Sequence, residues 1–119
     1  MKRDMELVRR VLLDTEEHGG GIGWFELGDI EGHSAEEVSY HVKLLSDAGF
    51  IEALDRSHQR ALVWHPKRLT WEGHEFLDAI RNDTVWAKTK KLVADKGSSI
   101  PFEVLKEVVM KLAREYFLE

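Results

Sequence analysis

Apolar side chains recur at helical spacing in the first fifty residues and predict two amphipathic helices. The first runs from about Asp4, a suitable N-cap, to Glu17. The second runs over Ser34–Ala48 and opens with a capping box: the Ser34 hydroxyl accepts the Glu37 N–H, and the Glu37 carboxylate reaches back. The core-facing positions predicted for these helices are Met5, Val8, Val11, Leu12, Thr15, Val38, His41, Val42, Leu45 and Ala48.

The segment between these helices offers little room for another helix. Three glycines at positions 19–21 end the first helix, and Ile22–Leu27 has the bulky residues of a short strand. A glycine-flanked loop, Gly28–Gly32, then leads to Ser34. A helix-turn-helix read from this pattern therefore lacks an obvious middle helix.

A β-hairpin and a further helix follow the second helix. Ile51–Leu54 and Ala61–His65 have β-like composition and enclose the polar turn Asp55–Arg60. Thr70 then caps a helix whose inward residues are Phe76, Leu77 and Ile80. This order matches the second half of a winged helix-turn-helix. We therefore expect a mainly α fold with a small β wing.

The last third of the chain predicts two more helices. Asp83 is the expected cap of the first, and Lys96–Ser99 separates it from a final helix with Pro101 in its first turn. The apolar band of the final helix is wider than one covered side requires. We expect a winged-helix-like core over residues 1–82. Residues 83–119 would form a C-terminal helical extension that packs on the core or makes a homodimer interface.

Composition narrows the class of protein. A hydrophobic fraction of 43% beside a charged fraction of 33% is that of a folded, water-soluble chain. The absence of cysteine excludes disulfides and thiol catalysis, so we expect a cytoplasmic protein. No apolar stretch is long enough to cross a membrane, and the charged start is unlike a signal peptide.

The charge distribution argues both for and against nucleic-acid binding. The net charge of −5 disfavours a dedicated binder of phosphate. Residues 51–68, however, carry four basic and two acidic side chains, which places the basic excess on the predicted wing. If Ser34–Ala48 is a reader helix, its DNA-contacting candidates are Ser39, Tyr40 and Lys43, beside several outward carboxylates. The wing candidates for phosphate contact are Arg56, His58 and Arg60. The other interpretation is that the helix face is simply solvated and the turn simply polar, with no contact to DNA.

No pattern in the chain predicts catalysis, a cofactor or a metal site. No two histidines have the i, i+4 spacing of a helical metal site, and no HExxH or phosphate-binding loop is present. His41 lies on the apolar side of its helix and is expected to be a buried, hydrogen-bonded imidazole. A hydrolase using His41 or His74 with Glu72 or Glu75 would need those side chains to converge. Most of the four tryptophans are expected in the core, and an exposed one would favour a protein interface.

Five segments of the sequence carry a resemblance to a known family: Met1–Leu7, Tyr40–Leu45, Ala48–Ile51, Leu69–Arg81 and Asp83–Trp86. They resemble the family of small bacterial and phage proteins catalogued as domain of unknown function 2513. The resemblance covers nearly the whole chain and implies a winged-helix-like protein of the kind found on mobile elements. It implies no activity and transfers no functional residue.

Together these observations predict a non-catalytic, dimeric, winged-helix-like protein. We expect it to bind double-stranded DNA as a transcriptional regulator in a bacterial or prophage context. The alternative is a protein-interaction module that keeps the winged scaffold and does not bind DNA.

Overall fold

The computed structural model describes residues 1–96 and 100–118, which form five helices and one two-stranded antiparallel sheet. The elements in chain order are α1 (Met5–His18), α2 (Ala35–Asp47), β1 (Ile51–Asp55), β2 (Trp64–Leu69), α3 (Trp71–Ile80), α4 (Asp83–Lys96) and α5 (Phe102–Leu118). This is the expected mainly α fold with a small β wing, compatible with a winged helix. The chain divides into two compact units, Met1–His74 and Glu75–Glu119, and the division falls within α3. The expected boundary at residue 82 stays a prediction.

The predicted N-caps of α1 and α2 are both present. Asp4 Oδ1 accepts the N–H groups of Glu6 and Leu7, at 2.9 and 3.3 Å. Ser34 Oγ accepts the Glu37 N–H at 3.0 Å. The other half of the capping box is replaced, because the Glu37 carboxylate instead accepts a hydrogen bond from His33 Nδ1 at 2.7 Å. The predicted core positions of both helices are buried except Ala48, which is the exposed C-cap of α2.

His41 links α1 to α2 from a fully buried position. Its Nε2 accepts the Asp4 backbone N–H at 2.8 Å, and its Nδ1 lies 2.9 Å from the Glu37 carbonyl oxygen. Because the Asp4 N–H can only donate, Nε2 is the unprotonated nitrogen and Nδ1–H is the donor to Glu37. The prediction of a buried, hydrogen-bonded imidazole is confirmed.

The α1–α2 linker, residues 19–34, contains neither a helix nor a strand. The predicted strand at Ile22–Leu27 is therefore wrong, although the linker does run beside β2. The Gly20 N–H donates to the Lys67 carbonyl at 3.1 Å, and the Phe25 N–H donates to the Pro66 carbonyl at 3.0 Å. Gly20 and Gly23 have φ of 97° and 85°, which bends the backbone away from the extended geometry of a strand.

The wing differs from its prediction in where the second strand lies. β2 begins at Trp64, not at Ala61, and it includes Pro66. Glu52 pairs with Arg68 and Ala53 pairs with Pro66, so Lys67 is an extra, bulged residue. The strand tolerates Pro66 beside this irregularity, because a bulge does not require every residue to donate to the ladder.

The start of α3 is hydrogen-bonded to the end of the α2–β1 turn. Thr70 donates its backbone N–H to the Phe50 carbonyl at 3.0 Å and its hydroxyl to the Gly49 carbonyl at 2.6 Å. The same hydroxyl accepts the Gly73 N–H at 3.0 Å, so Thr70 is the predicted cap. A Cβ at Gly73 would overlap the carbonyl of Phe50. Only glycine permits this approach of helix to turn.

The second unit is built from the rest of α3 with α4 and α5. The inward positions predicted for α3, Phe76, Leu77 and Ile80, are buried, and the Phe76 ring lies 5.7 Å from that of Phe102. The cap of α4 is Asn82 and not Asp83: Asn82 Oδ1 accepts the N–H groups of Thr84 and Val85. Of the predicted break at Lys96–Ser99, residues 97–99 lie outside the described chain.

We predict that Gly73→Ala destabilises the protein. Alanine gains about 1 kcal/mol in helix propensity over glycine, but the clash with the Phe50 carbonyl should outweigh this and leave a net loss of about 2 kcal/mol. Urea denaturation followed by circular dichroism measures the difference. Gly28→Ala is the matched control, because a Cβ there meets nothing within 4 Å, and it should change stability by less than about 0.5 kcal/mol. An unchanged or raised stability for Gly73→Ala would contradict the close approach.

Candidate nucleic-acid interface

The tip of the wing is a tight, hydrogen-bonded loop. The Arg56 N–H donates to the Val63 carbonyl at 2.8 Å, and His58 and Ala61 exchange backbone hydrogen bonds of 3.1 and 2.8 Å. Gln59 turns the chain with a φ of 48°. The loop therefore presents the exposed side chains of Arg56, His58 and Arg60 from a defined backbone.

Asp55 and Ser57 stabilise the entry to this loop. The Ser57 N–H donates to Asp55 Oδ1 at 2.9 Å, and Ser57 Oγ accepts the Val63 N–H at 3.0 Å. The Ser57 N–H, followed by the Ser57 hydroxyl and the charge of Lys43, holds the pKa of Asp55 below its ordinary value. All three interactions favour the carboxylate over the neutral acid.

The basic residues of the wing are not equivalent. Arg68 makes a two-pronged ion pair with Glu52, at 2.9 and 2.8 Å, which neutralises it locally. Among the described residues, neither Arg56 nor Arg60 has an acidic partner. Residues 56–63 contain no Asp or Glu. Lys67 on β2 also has no acidic partner in the described part of the chain, but it is half-buried. The exposed, uncompensated positive charge of the wing therefore lies at its tip.

Trp24 is a member of this site that the sequence did not indicate. Its ring stacks on His65 with centroids 4.6 Å apart and planes at 14°, and the Arg56 guanidinium lies 4.9 Å from the Trp24 ring centroid. Trp24 and Arg56 are far apart in sequence, and Trp24 was assigned to a strand that does not form. The backbone bonds between the linker and β2, together with the Trp24–His65 stack, place the Trp24 ring beside Arg56. The stack restricts Arg56 by a cation–π contact.

The three reader candidates on α2 have different surroundings. Ser39 Oγ accepts the Trp64 N–H at 3.1 Å, so this side chain attaches the wing to α2. Tyr40 is half-buried with its ring edge-on to His41, and Lys43 is half-buried within electrostatic range of Asp55. The carboxylates of Glu36 and Asp47 are exposed on the same helix. The structure thus brings Lys43 close to Asp55, at the entry to the wing tip, and leaves the rest of the exposed helix surface acidic.

The side chains of the hydrolase interpretation are in different environments. His41 is buried with both nitrogens bonded, whereas His74, Glu72 and Glu75 are exposed on α3. Within residues 1–96 and 100–118, no three His, Asp or Glu side chains are grouped as a metal site would require. No helix in that part of the chain is long and apolar enough to cross a bilayer.

Comparison with known proteins gives the chain a family. The family model described as "Hypothetical protein (DUF2513)" matches residues 2–99. The chain belongs to the DUF2513 family. A relative from Haemophilus influenzae, described as an uncharacterized protein, is 39% identical over 112 residues, which cover 94% of this chain and 95% of the relative. No solved structure matches the chain.

The DUF2513 match includes the entire wing and the two phrases that meet at its base. The Leu69–Arg81 phrase contains Thr70 and Gly73, and the Ala48–Ile51 phrase contains the two carbonyls that Thr70 binds. These two sequence segments therefore contact each other at the base of the wing. α5 begins after the matched region.

We predict that the Asp55–Ser57 bond survives to unusually low pH. Because the pKa of Asp55 is lowered in the folded state, the bond contributes fully above the ordinary value of 3.8 and is lost only as pH falls through the lower folded value. The Ser57 amide proton, followed by NMR, should titrate with a midpoint below 3.8. Asp55→Asn should remove this titration. A midpoint at or above the ordinary value would show that the Ser57 contact does not stabilise the carboxylate.

Proposed function

We propose that this protein is a non-catalytic, winged-helix-like protein that binds double-stranded DNA mainly through its wing. The observation that carries the proposal is the pair of exposed arginines, Arg56 and Arg60, without acidic partners on a loop that contains no Asp or Glu. Affinity for a duplex comes largely from cations that displace counterions at phosphates. His58 lies between the two arginines and adds a hydrogen-bonding group.

The negative charge of α2 explains why the wing, and not this helix, would make most of the contacts with DNA. A reader helix with exposed Glu36 and Asp47 would meet phosphate repulsion in a major groove, and Ser39 is already bonded to the wing. Lys43, near the entry to the wing tip, and Tyr40 remain available at the helix edge. Phosphate contacts position a protein without reading sequence, so we expect modest sequence preference unless these two residues reach bases.

The wider setting of the function is also a proposal. We place the protein in the cytoplasm, as a regulator of transcription in a bacterial or prophage context, acting as a homodimer through its C-terminal helices. A dimer would double the number of wings that meet one duplex and would match a palindromic site.

A second candidate function is a protein-interaction module without DNA. It is favoured by exposed apolar side chains on α5, namely Val104, Tyr116, Phe117 and Leu118, and by Trp71, which is 75% exposed. Large exposed apolar groups on a small protein commonly mark a binding surface. This candidate predicts a stable oligomer or complex and no salt-dependent binding to duplexes.

We expect Arg56→Ala combined with Arg60→Ala to weaken duplex binding about tenfold or more at low salt and to reduce the salt slope by about 2, because two phosphate contacts are lost. Fluorescence anisotropy with a random-sequence duplex at low and near-physiological salt measures both quantities. Lys88→Ala combined with Lys91→Ala is the control, since it removes the same charge from exposed positions on α4. Equal effects of the two pairs, or no effect of either, would count against wing-led binding.

Trp24→Leu tests whether the stack positions Arg56. The variant keeps every cation, so we expect a loss of affinity of about threefold to tenfold with the salt slope unchanged. Trp71→Leu is the matched control, because Trp71 is also exposed and belongs to α3. If Trp24→Leu binds the duplex as tightly as the parent protein, the stack has no part in binding.

A further inference from the structure

A groove on the second unit lies between α3 and α5. It encloses about 240 Å³, and its floor is apolar, formed by Ala79, Met110 and Ala113. Phe117 lines one end of the groove and is 61% exposed. An open apolar groove bordered by an exposed aromatic ring is typical of a binding surface.

The positions that line the groove form two helical stripes. Met110, Ala113, Arg114 and Phe117 recur at i, i+3, i+4 and i+7 on α5, and Glu75, Asp78 and Ala79 recur at i, i+3 and i+4 on α3. Side chains at this spacing share one face of a helix. A groove between two such stripes suits a third helix that presents its own apolar face.

The charges around the groove are complementary to each other. Among the described residues, Glu75 on α3 and Arg114 on α5 have no ion-pair partner, whereas Asp78 pairs with Arg81 at 3.1 Å. One wall therefore has an uncompensated carboxylate and the other an uncompensated guanidinium. A partner that satisfies both charges needs a cation facing α3, an anion facing α5 and an apolar side chain over the floor.

The groove itself supplies this combination, because Arg114 and Phe117 belong to α5 and Glu75 to α3, and so the surface is complementary to its own copy. In a twofold interface the same patch is used by both partners, and each contact occurs twice. The Arg114 side chain of one copy would face the Glu75 of the other, twice. Phe117 of each copy would cover the alanines and the adaptable Met110 of the other.

We infer that the groove between α3 and α5 binds α5 of a second copy, with Phe117 on the apolar floor and Arg114 paired with Glu75. The inference rests on the homodimer proposed above and names the contacts that form it.

Sedimentation equilibrium of the full-length protein over a concentration series tests the apolar contact. Phe117→Ser should raise the dimer dissociation constant about tenfold or more, because a central aromatic anchor is lost. Val104→Ser is the matched control: Val104 is also an exposed apolar residue of α5 but lies outside the groove, so the dissociation constant should stay unchanged. Circular dichroism confirms that each variant is folded.

A charge exchange tests the ion pair. Arg114→Glu and Glu75→Arg should each weaken self-association, because each places like charges opposite one another. An equimolar mixture of the two single variants should associate as tightly as the parent protein, since a mixed dimer has one Arg114–Glu75 pair as in the parent and one pair with the charges exchanged. An interaction within one chain cannot produce this rescue.

The possible failures are distinguishable. A protein that stays monomeric at the highest concentration overturns both the groove inference and the homodimer. A dimer that tolerates Phe117→Ser, or a mixture that shows no rescue, overturns the groove and leaves a dimer formed elsewhere. The proposal that the wing binds DNA is tested independently, because Arg56 and Arg60 belong to the other unit. Their substitution should leave the dissociation constant of the dimer unchanged.

Discussion

The close approach of Gly73 to the Phe50 carbonyl is the constraint on which the wing depends. Phe50 leads directly into β1, and Thr70 follows directly after β2, so the bonds of Thr70 to Gly49 and Phe50 close the hairpin at its base. Any side chain at residue 73 would move the first turn of α3 away and open this closure. The position of the wing is therefore set by a contact that contains no part of the candidate interface.

From this base to its tip, the wing is held by a succession of different interactions. The Arg68–Glu52 ion pair joins the strands, Ser39 attaches Trp64 to α2, and Asp55 with Ser57 forms the entry to the tip. Each of these interactions occupies a polar group, which is then not available to a ligand. Of the four basic residues of the wing, Arg68 is paired with Glu52 and Lys67 is half-buried, so the exposed cations without an ion-pair partner among the described residues are Arg56 and Arg60. This is a more specific hypothesis than net charge alone supports.

Local chemistry made parts of this fold predictable. Asp4, Ser34 and Thr70 cap helices as predicted, because a short polar side chain just before an apolar repeat accepts the first free N–H groups of the helix. The helical spacing of Val38, His41 and Leu45 correctly predicted that these side chains are buried. Other predictions failed where a neighbouring polar side chain made the expected bond or where a proline shifted the strand. Glu37 binds His33 instead of its own helix start, Asn82 replaces Asp83 as a cap, and β2 is shifted around Pro66. The Trp24–Arg56 contact depends on the path of the linker, which periodicity does not encode.

The bulge at Lys67 has a consequence for how the chain tolerates changes in length. Without this one residue the ladder of β1 and β2 would be regular, because Arg68 and Pro66 pair with consecutive residues of β1. The carbonyl of Lys67 instead accepts the Gly20 N–H, close against Gly19. A single deletion there would leave the hairpin paired but would remove the Gly20 contact, so that the linker would be held to β2 by the Phe25–Pro66 bond and the Trp24–His65 stack. The extra residue is thus not needed for pairing of the strands; it supplies one of the bonds that hold the linker beside them.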